Sequence, residues 1–309
     1  MPPATVRAEM VGLLEKVPAV LVDFDVLPTG PGIAGLILGP EAPVAAADVA
    51  RLPDLKVVAA DSIGTDHIAI DAVTAQGGWV TNVPDYCTQE VADHAIALVL
   101  ALLRGIVAAD RSVRAGRWET PPGVRRVAGT RLGLIGFGRI GQAVARRATA
   151  LGMVVSAYDP EVDDDHFARL SVHRHLSVVG LLADVDVASL HVPLTEATRG
   201  LVDAQALASM AAGSWLINVS RGGVVDQTAL VAALVAGQLA GAGLDVFEQE
   251  PPGADDPLLG LSTVALTPHM AWASPDADRA AFVGAARDVA AVLAGAVPDN
   301  VVGRPATLI

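Results

Sequence analysis

An arginine, a glutamate and a histidine each follow a short apolar run in the second half of this 309-residue chain: Arg221 in INVSRGG, Glu250 in GLDVFEQEP and His269 in LTPHMAWAS. Histidine titrates near neutrality, so it can give or take a proton in a reaction. A carboxylate on its other ring nitrogen fixes the tautomer and stabilises the imidazolium. The planar fork of an arginine holds a carboxylate and polarises a neighbouring carbonyl, which a lysine cannot reproduce. Together these types suit hydride reduction of a 2-oxo acid, with His269 as the acid, Glu250 as its partner and Arg221 as the clamp. Asp245, at a strand end, is placed to orient a nicotinamide carboxamide. Taken singly, His269 could cap a turn, Arg221 could pair at the surface and Glu250 could be a solvated loop acid. Their position after successive strands of one sheet favours the joint reading, because ligands of doubly wound sheets bind outside the strands' carboxyl ends.

A second constellation supplies the partner such chemistry needs. An apolar run, Leu132 to Ile135, leads into Gly136, Gly138 and Gly141 at G-x-G-x-x-G spacing. A helical pattern follows, then a strand-like run from Met153 to Tyr158 that ends on Asp159. The first glycine permits the tight turn, the second lets backbone approach a pyrophosphate, and the third lets helix and strand pack closely. The pyrophosphate would sit on the helix N-terminus. Asp159 stands where an acid accepts hydrogen bonds from ribose hydroxyls, and Pro160 and Glu161 offer no cation for a 2′-phosphate, so NAD is expected over NADP.

Alternating strands and helices must position these residues. Residues 1–18 read as a helix, and 19–26, 33–38, 55–60 and 79–82 as strands. Further strands are expected near 185–190, 214–218, 241–246 and 262–266, with a final helix over 275–293. The run EVADHAIALVLALLRGIVAA predicts one long, buried helix over 90–109, followed by a charged, loop-like segment over 111–127. This rhythm implies α/β architecture with parallel sheets. The chain is long enough for two domains. Its net charge of −13, without a basic run, argues against nucleic acid or an anionic membrane as partner. The single Cys87 allows no internal disulfide, no signal peptide is evident, and the longest apolar run is too short for a bilayer, so a cytoplasmic enzyme is expected.

Other clusters carry blander readings. Asp163, Asp164, Asp165 and His166 read as a solvated acidic loop, so no metal site is expected. His173 and His175 read as exposed on one strand face. His191, ending VASLHVP, frames the cofactor rather than reacting. Cys87 has no evident partner for nucleophilic work.

The ordered motifs DSIGTDHI, TNVPDYCTQEVADHAIALVLALLR, GLIGFGRIGQ, DVASLHVPLTEATRGLV, INVSRGGVVD, GLDVFEQEP and LTPHMAWAS resemble the D-isomer-specific 2-hydroxyacid dehydrogenases, from about Ile33 to Val302. The resemblance implies a Rossmann-type dinucleotide domain (residues 95–284) inserted into a smaller flavodoxin-like α/β substrate domain (1–94 and 285–309), with the active cleft between. It implies Arg221, Glu250 and His269 as catalytic residues. NAD would be held by Gly136, Gly138, Arg139, Ile140, Gly141, Asp159, His191, Pro193, Thr198 and Asp245. A small anionic 2-oxo or 2-hydroxy acid would meet Ser62, Ile63, Gly64, Arg221 and Trp272. A glutamate opposite the histidine resembles the hydroxyacid branch rather than formate dehydrogenases, and family members commonly pair as dimers. The rival reading is a dinucleotide-sensing scaffold like the C-terminal binding protein corepressors. One departure from the family is an opening that looks short by about one strand–helix unit.

Overall fold

A computed structural model describes residues 2–305. In chain order its strands are β1 (Gly35–Leu38), β2 (Val57–Ala60), β3 (Trp79–Thr81), β4 (Arg131–Ile135), β5 (Val154–Tyr158), β6 (His173–Arg174), β7 (Val187–Leu190), β8 (Ser214–Asn218), β9 (Leu239–Leu244), β10 (Val264–Leu266) and β11 (Val301–Gly303). The chain divides into two units, Thr88–Trp272 and Met1–Cys87 with Ala273–Ile309. The division therefore falls at 87/88 and 272/273 rather than at the expected 94/95 and 284/285. Each of the two long apolar helices, Thr88–Leu103 and Pro275–Leu293, stays whole within one unit.

The larger unit is built on a seven-stranded parallel sheet in the order β10-β9-β8-β7-β4-β5-β6. Its central strands are buried at nearly every residue, as continuous apolar runs in a sheet covered on both faces must be. The order reverses beside β4, which carries the glycine motif at its carboxyl end. That reversal is the switch point at which doubly wound sheets take their ligands. Helix Thr88–Leu103 packs on helix Arg139–Ala150 and on β8, β9 and β10. It buries Val91, Ala95, Ile96, Leu98, Val99 and Leu103.

The single helix expected over 90–109 is two helices. Gly105 adopts a left-handed backbone (φ +62°), which ends the first helix, and the chain turns through 61° into Ile106–Arg114. That second helix extends into the segment read as loop. No single helix among the described residues is long and apolar enough to cross a membrane.

In the smaller unit the sheet order is β1-β2-β3-β11, with β11 antiparallel to β3. Alternation along the strands divides the core. Leu36, Leu38, Val58, Ala60 and Val80 pack with Val44, Val49, Leu52 and Val73 on one face. Val57, Ala59 and Trp79 pack with Leu14, Val17 and helix Pro275–Leu293 on the other. The opening helix forms as expected, over Ala4–Leu14, and lies on that long helix. Residues 19–26 form no strand, contrary to expectation: Val20, Val22 and Val26 point to solvent while Leu21 and Phe24 tuck against the core. The segment docks side chains without pairing its backbone. The sheet instead gains β11, a strand not anticipated from the sequence.

Candidate active site

His269 lies just past β10 in the left-handed region (φ +51°), a conformation that costs a non-glycine residue roughly 1–3 kcal/mol and persists only where its surroundings enforce it. Its Nδ1 is 2.6 Å from Glu250 Oε2. Glu250 Oε1 accepts the Phe247 amide at 2.9 Å, which locks the carboxylate's direction. Burial alone would raise the Glu250 pKa. The hydrogen bond from His269, the Phe247 amide and the charges of His269 and Arg221 outweigh it and hold the carboxyl below its ordinary value. Glu250 is thus an acceptor at neutral pH, so the Nδ1 proton is directed at it and Nε2 is left for chemistry.

Arg221 follows β8 as expected. Asn218, buried at the end of that strand, donates to the Arg221 carbonyl at 2.9 Å, and Arg221 Nη1 donates to Ser220 O. Gly222 is required here, because a Cβ would run into the Phe247 and Glu248 backbone. The contact brings the segment after β8 against the loop that carries Glu250. Arg221, Glu250 and His269, widely spaced in sequence, therefore share one end of the sheet.

Asp245, expected to face a nicotinamide, is fully buried, and its oxygens already hold the histidine loop. Oδ1 accepts the Thr267 hydroxyl (2.6 Å) and the Met270 amide (2.9 Å), and Oδ2 accepts the Ala271 amide (2.8 Å). Its carbonyl accepts the His269 amide at 2.7 Å. Trp272 Nε1 donates to the His269 carbonyl at 2.9 Å. His94 completes the cluster, with Nε2 3.0 Å from Thr267 Oγ1 and 3.6 Å from Asp245 Oδ1.

The glycine loop fits a dinucleotide. A Cβ on Gly136 or Gly141 would strike the carbonyl of His191 or Gly136 respectively, whereas one on Gly138 meets nothing within 4 Å. Gly138 is thus glycine at a place that protein packing leaves open. Among the described residues, the Gly138, Arg139 and Ile140 amides opening helix Arg139–Ala150 donate to no protein acceptor, as a pyrophosphate cradle requires. Asp159 directly follows β5, where Oδ2 accepts the Phe137 amide (2.7 Å) and Oδ1 the Glu161 amide (2.9 Å). His191 directly follows β7 with Nε2 2.9 Å from Ser189 Oγ, and burial pushes its pKa down to about 3. It is therefore neutral near pH 7. Thr198 donates to the Pro193 carbonyl and accepts the Thr195 amide, which folds the 193–198 loop on itself.

Sequence reasoning missed Arg174 on β6. Its guanidinium pairs with Asp164, lies over the Phe167 ring and donates to the Asp159 carbonyl at 3.3 Å. A cation thus stands near the ribose-facing acid. Asp164 and His166 lie on a short helix, Asp164–Arg169, rather than in a loop. Among the described residues no cluster of His, Cys, Asp or Glu has metal-binding geometry. His173 is exposed as expected, but His175 is not, and the two rings meet edge to face at 4.9 Å.

Ser62, Ile63 and Gly64 belong to the smaller unit, directly after β2. The Ser62 hydroxyl donates to Gly64 O (2.8 Å), Asn82 Nδ2 to Ile63 O (2.7 Å) and the Val83 amide to Ser62 O (3.1 Å). The loop's carbonyls are occupied, while the Ile63 and Gly64 amides donate to no acceptor among the described residues. That arrangement leaves two donors for an anion. Beside it, Asp61 has a pKa raised to about 6, by burial first and by the nearby Glu41 charge second.

A doubly wound sheet with a glycine cradle at its switch point and a carboxylate-held histidine near an arginine defines a nicotinamide-linked dehydrogenase. The family model for the D-isomer specific 2-hydroxyacid dehydrogenase NAD binding domain matches residues 96–271. A glyoxylate reductase of Korarchaeum cryptofilum is 43% identical over 257 residues, covering 82% of this chain and 77% of the relative. A D-3-phosphoglycerate dehydrogenase of Mycobacterium tuberculosis is 42% identical over 82% of this chain, which spans about half (48%) of that protein. The crystal structure of a Thermus thermophilus protein superposes with a TM-score of 0.84 at 34% identity, covering 98% of this chain and 97% of its own. The chain belongs to the D-isomer specific 2-hydroxyacid dehydrogenase family.

Proposed function

We propose that the protein is an NAD-dependent reductase of small, unphosphorylated 2-oxo acids, glyoxylate being the first to test, with His269, Glu250 and Arg221 as its catalytic residues. The observation that carries this reading is the 2.6 Å contact between His269 Nδ1 and an ionised Glu250, with Arg221 charge acting on the same carboxylate. When bound, the reduced nicotinamide supplies a hydride to the substrate's carbonyl carbon. His269 Nε2 delivers the proton to the carbonyl oxygen, and Glu250 stabilises the ring's charge while it carries two protons. In the oxidative direction Nε2 takes the proton back. Arg221 holds the substrate carboxylate and polarises the carbonyl. Gly138, Arg139 and Ile140 would hold the pyrophosphate and Asp159 the ribose.

Glyoxylate comes first because the glyoxylate reductase relative is 43% identical and covered over 77% of its length, whereas this chain spans 48% of the D-3-phosphoglycerate dehydrogenase. NADH oxidation by the wild-type protein with glyoxylate, hydroxypyruvate, phosphohydroxypyruvate and bulkier 2-oxo acids tests the reading. It expects turnover, fastest on the small unphosphorylated acids; nicotinamide binding without turnover on any of them would favour a sensing scaffold.

The protein is further proposed to act in the cytoplasm as a homodimer. Ile106 and Val113 on helix Ile106–Arg114 are half-exposed, and Trp118 beyond it is 92% exposed. Large apolar side chains left this exposed are commonly covered in an assembled protein. Light scattering expects twice the 31.5 kDa chain mass; a monomer at micromolar concentration would contradict it.

A further inference from the structure

We propose that His94 and Thr267 are positioning residues for the catalytic histidine, acting through buried Asp245. This inference rests on the proposed role of His269. Hydrogen-bond bookkeeping orders the relay. The Thr267 hydroxyl has one proton, and at 2.6 Å it goes to Asp245 Oδ1, because a carboxylate can only accept. The Thr267 oxygen must then accept from His94, 3.0 Å away, which requires the proton on His94 Nε2. Asp245 is left with Oδ1 shared between the Thr267 hydroxyl and the Met270 amide, and Oδ2 on the Ala271 amide.

The consequence lies one residue away. The Asp245 carbonyl takes the His269 amide while its carboxylate takes the next two amides, so one residue grips three consecutive N–H groups. That grip spans the residue whose backbone is in the unfavourable left-handed region. The direction of the Asp245 carboxylate therefore sets the loop on which the His269 ring faces Glu250. Thr267 sets that direction from just past β10, and His94 sets Thr267 from helix Thr88–Leu103. That helix packs on β9 and β10 and is thereby coupled to the reacting ring. Neither His94 nor Thr267 needs to touch substrate.

The test uses the full-length protein with Thr267→Val and Thr267→Ser, His94→Phe and His94→Gln, and the Val/Phe double variant. Two quantities are read: hydrogen exchange of the 269–271 amides without ligand, and kcat and KM for glyoxylate with NADH. Loss of the bond to the Asp245 carboxylate in Thr267→Val, and of the bond that directs the Thr267 hydroxyl in His94→Phe, predicts that each speeds exchange and lowers kcat by about tenfold, with KM changed much less. Serine and glutamine, which keep the donor and acceptor, restore both readouts. The double variant is no worse than the worse single one, as members of one chain require. Unchanged exchange at 269–271 in the Val and Phe variants, failed rescue by Ser and Gln, or losses that multiply in the double variant would each overturn the proposal. Should Thr267→Val fail to fold, His94→Phe and His94→Gln carry the same comparison from helix Thr88–Leu103. A wild type without 2-oxo acid turnover would defeat the proposed function instead, while the exchange measurement still decides the relay.

Discussion

Replacing Asp61 by asparagine should stabilise the protein above pH 6 and leave it unchanged near pH 4. The side chain follows β2 at the edge of the smaller unit's core, where burial first and the Glu41 charge second raise its pKa from 3.8 to about 6. At 1.36 kcal/mol per pH unit, that gap is worth about 3 kcal/mol, an upper bound for a group with some solvent access. The sign follows from which state binds the proton. Below about pH 4 the carboxyl is protonated folded or unfolded, and it carries no penalty. Between about pH 4 and pH 6 the unfolded chain releases the proton while the folded chain keeps it, so stability falls as pH rises. Above about pH 6 both states are ionised and the full cost of the buried charge remains. Asparagine keeps the shape and removes the charge. Urea unfolding of wild type and Asp61→Asn at pH 4 and pH 7.5 measures the difference, with all other titrations common to both proteins. The variant should gain about 2–3 kcal/mol at pH 7.5 and little at pH 4. An equal effect at both pH values, or destabilisation at pH 7.5, would refute the reasoning.

Two further outcomes follow from the cofactor unit. NADH should be preferred to NADPH by at least about tenfold in kcat/KM, the effect of about 1.4 kcal/mol of repulsion between Asp159 and a 2′-phosphate. Arg174 does not reverse this while Asp164 holds its guanidinium, and Asp159→Ser should narrow the ratio; equal efficiency with both cofactors in the wild type would contradict it. Gly222→Ala drives a methyl into the Phe247 and Glu248 backbone and should cost about 1–3 kcal/mol while lowering kcat, because it displaces the loop bearing Glu250. Chemical unfolding alongside steady-state rates would show it, and a wild-type midpoint would exclude the clash.

What could be read from the sequence was what local chemistry dictates. The turn after β4 needs glycine at Gly136 and Gly141 because neighbouring carbonyls leave no room for a Cβ, so the motif shows in the chain itself. Arg221, Glu250 and His269 each lie within a few residues of a strand end, so locating the strands located the site. The remainder depends on partners far apart in the chain. His94 and Thr267 are 173 residues apart, and nothing local to either announces the pair. Arg174 sits in a two-residue edge strand whose period is too short to read. The break at Gly105 was hidden because glycine within an apolar helical pattern gives no sign of its φ until Pro121 and Val124 pack against it. Residues 19–26 alternate like a strand, yet a strand also requires a free edge to pair with, which alternation cannot supply.

The central claim is that His269, held by Glu250, moves the proton. Its most direct test is the kcat of wild type and His269→Ala for NADH-dependent reduction of the best 2-oxo acid, with NADH affinity measured on both. A general acid is worth about 10²–10⁴-fold, so the variant should lose that much turnover while its NADH dissociation constant stays within about twofold. Turnover within a few-fold of wild type would mean that the proton comes from another group, and the account of the site would be wrong.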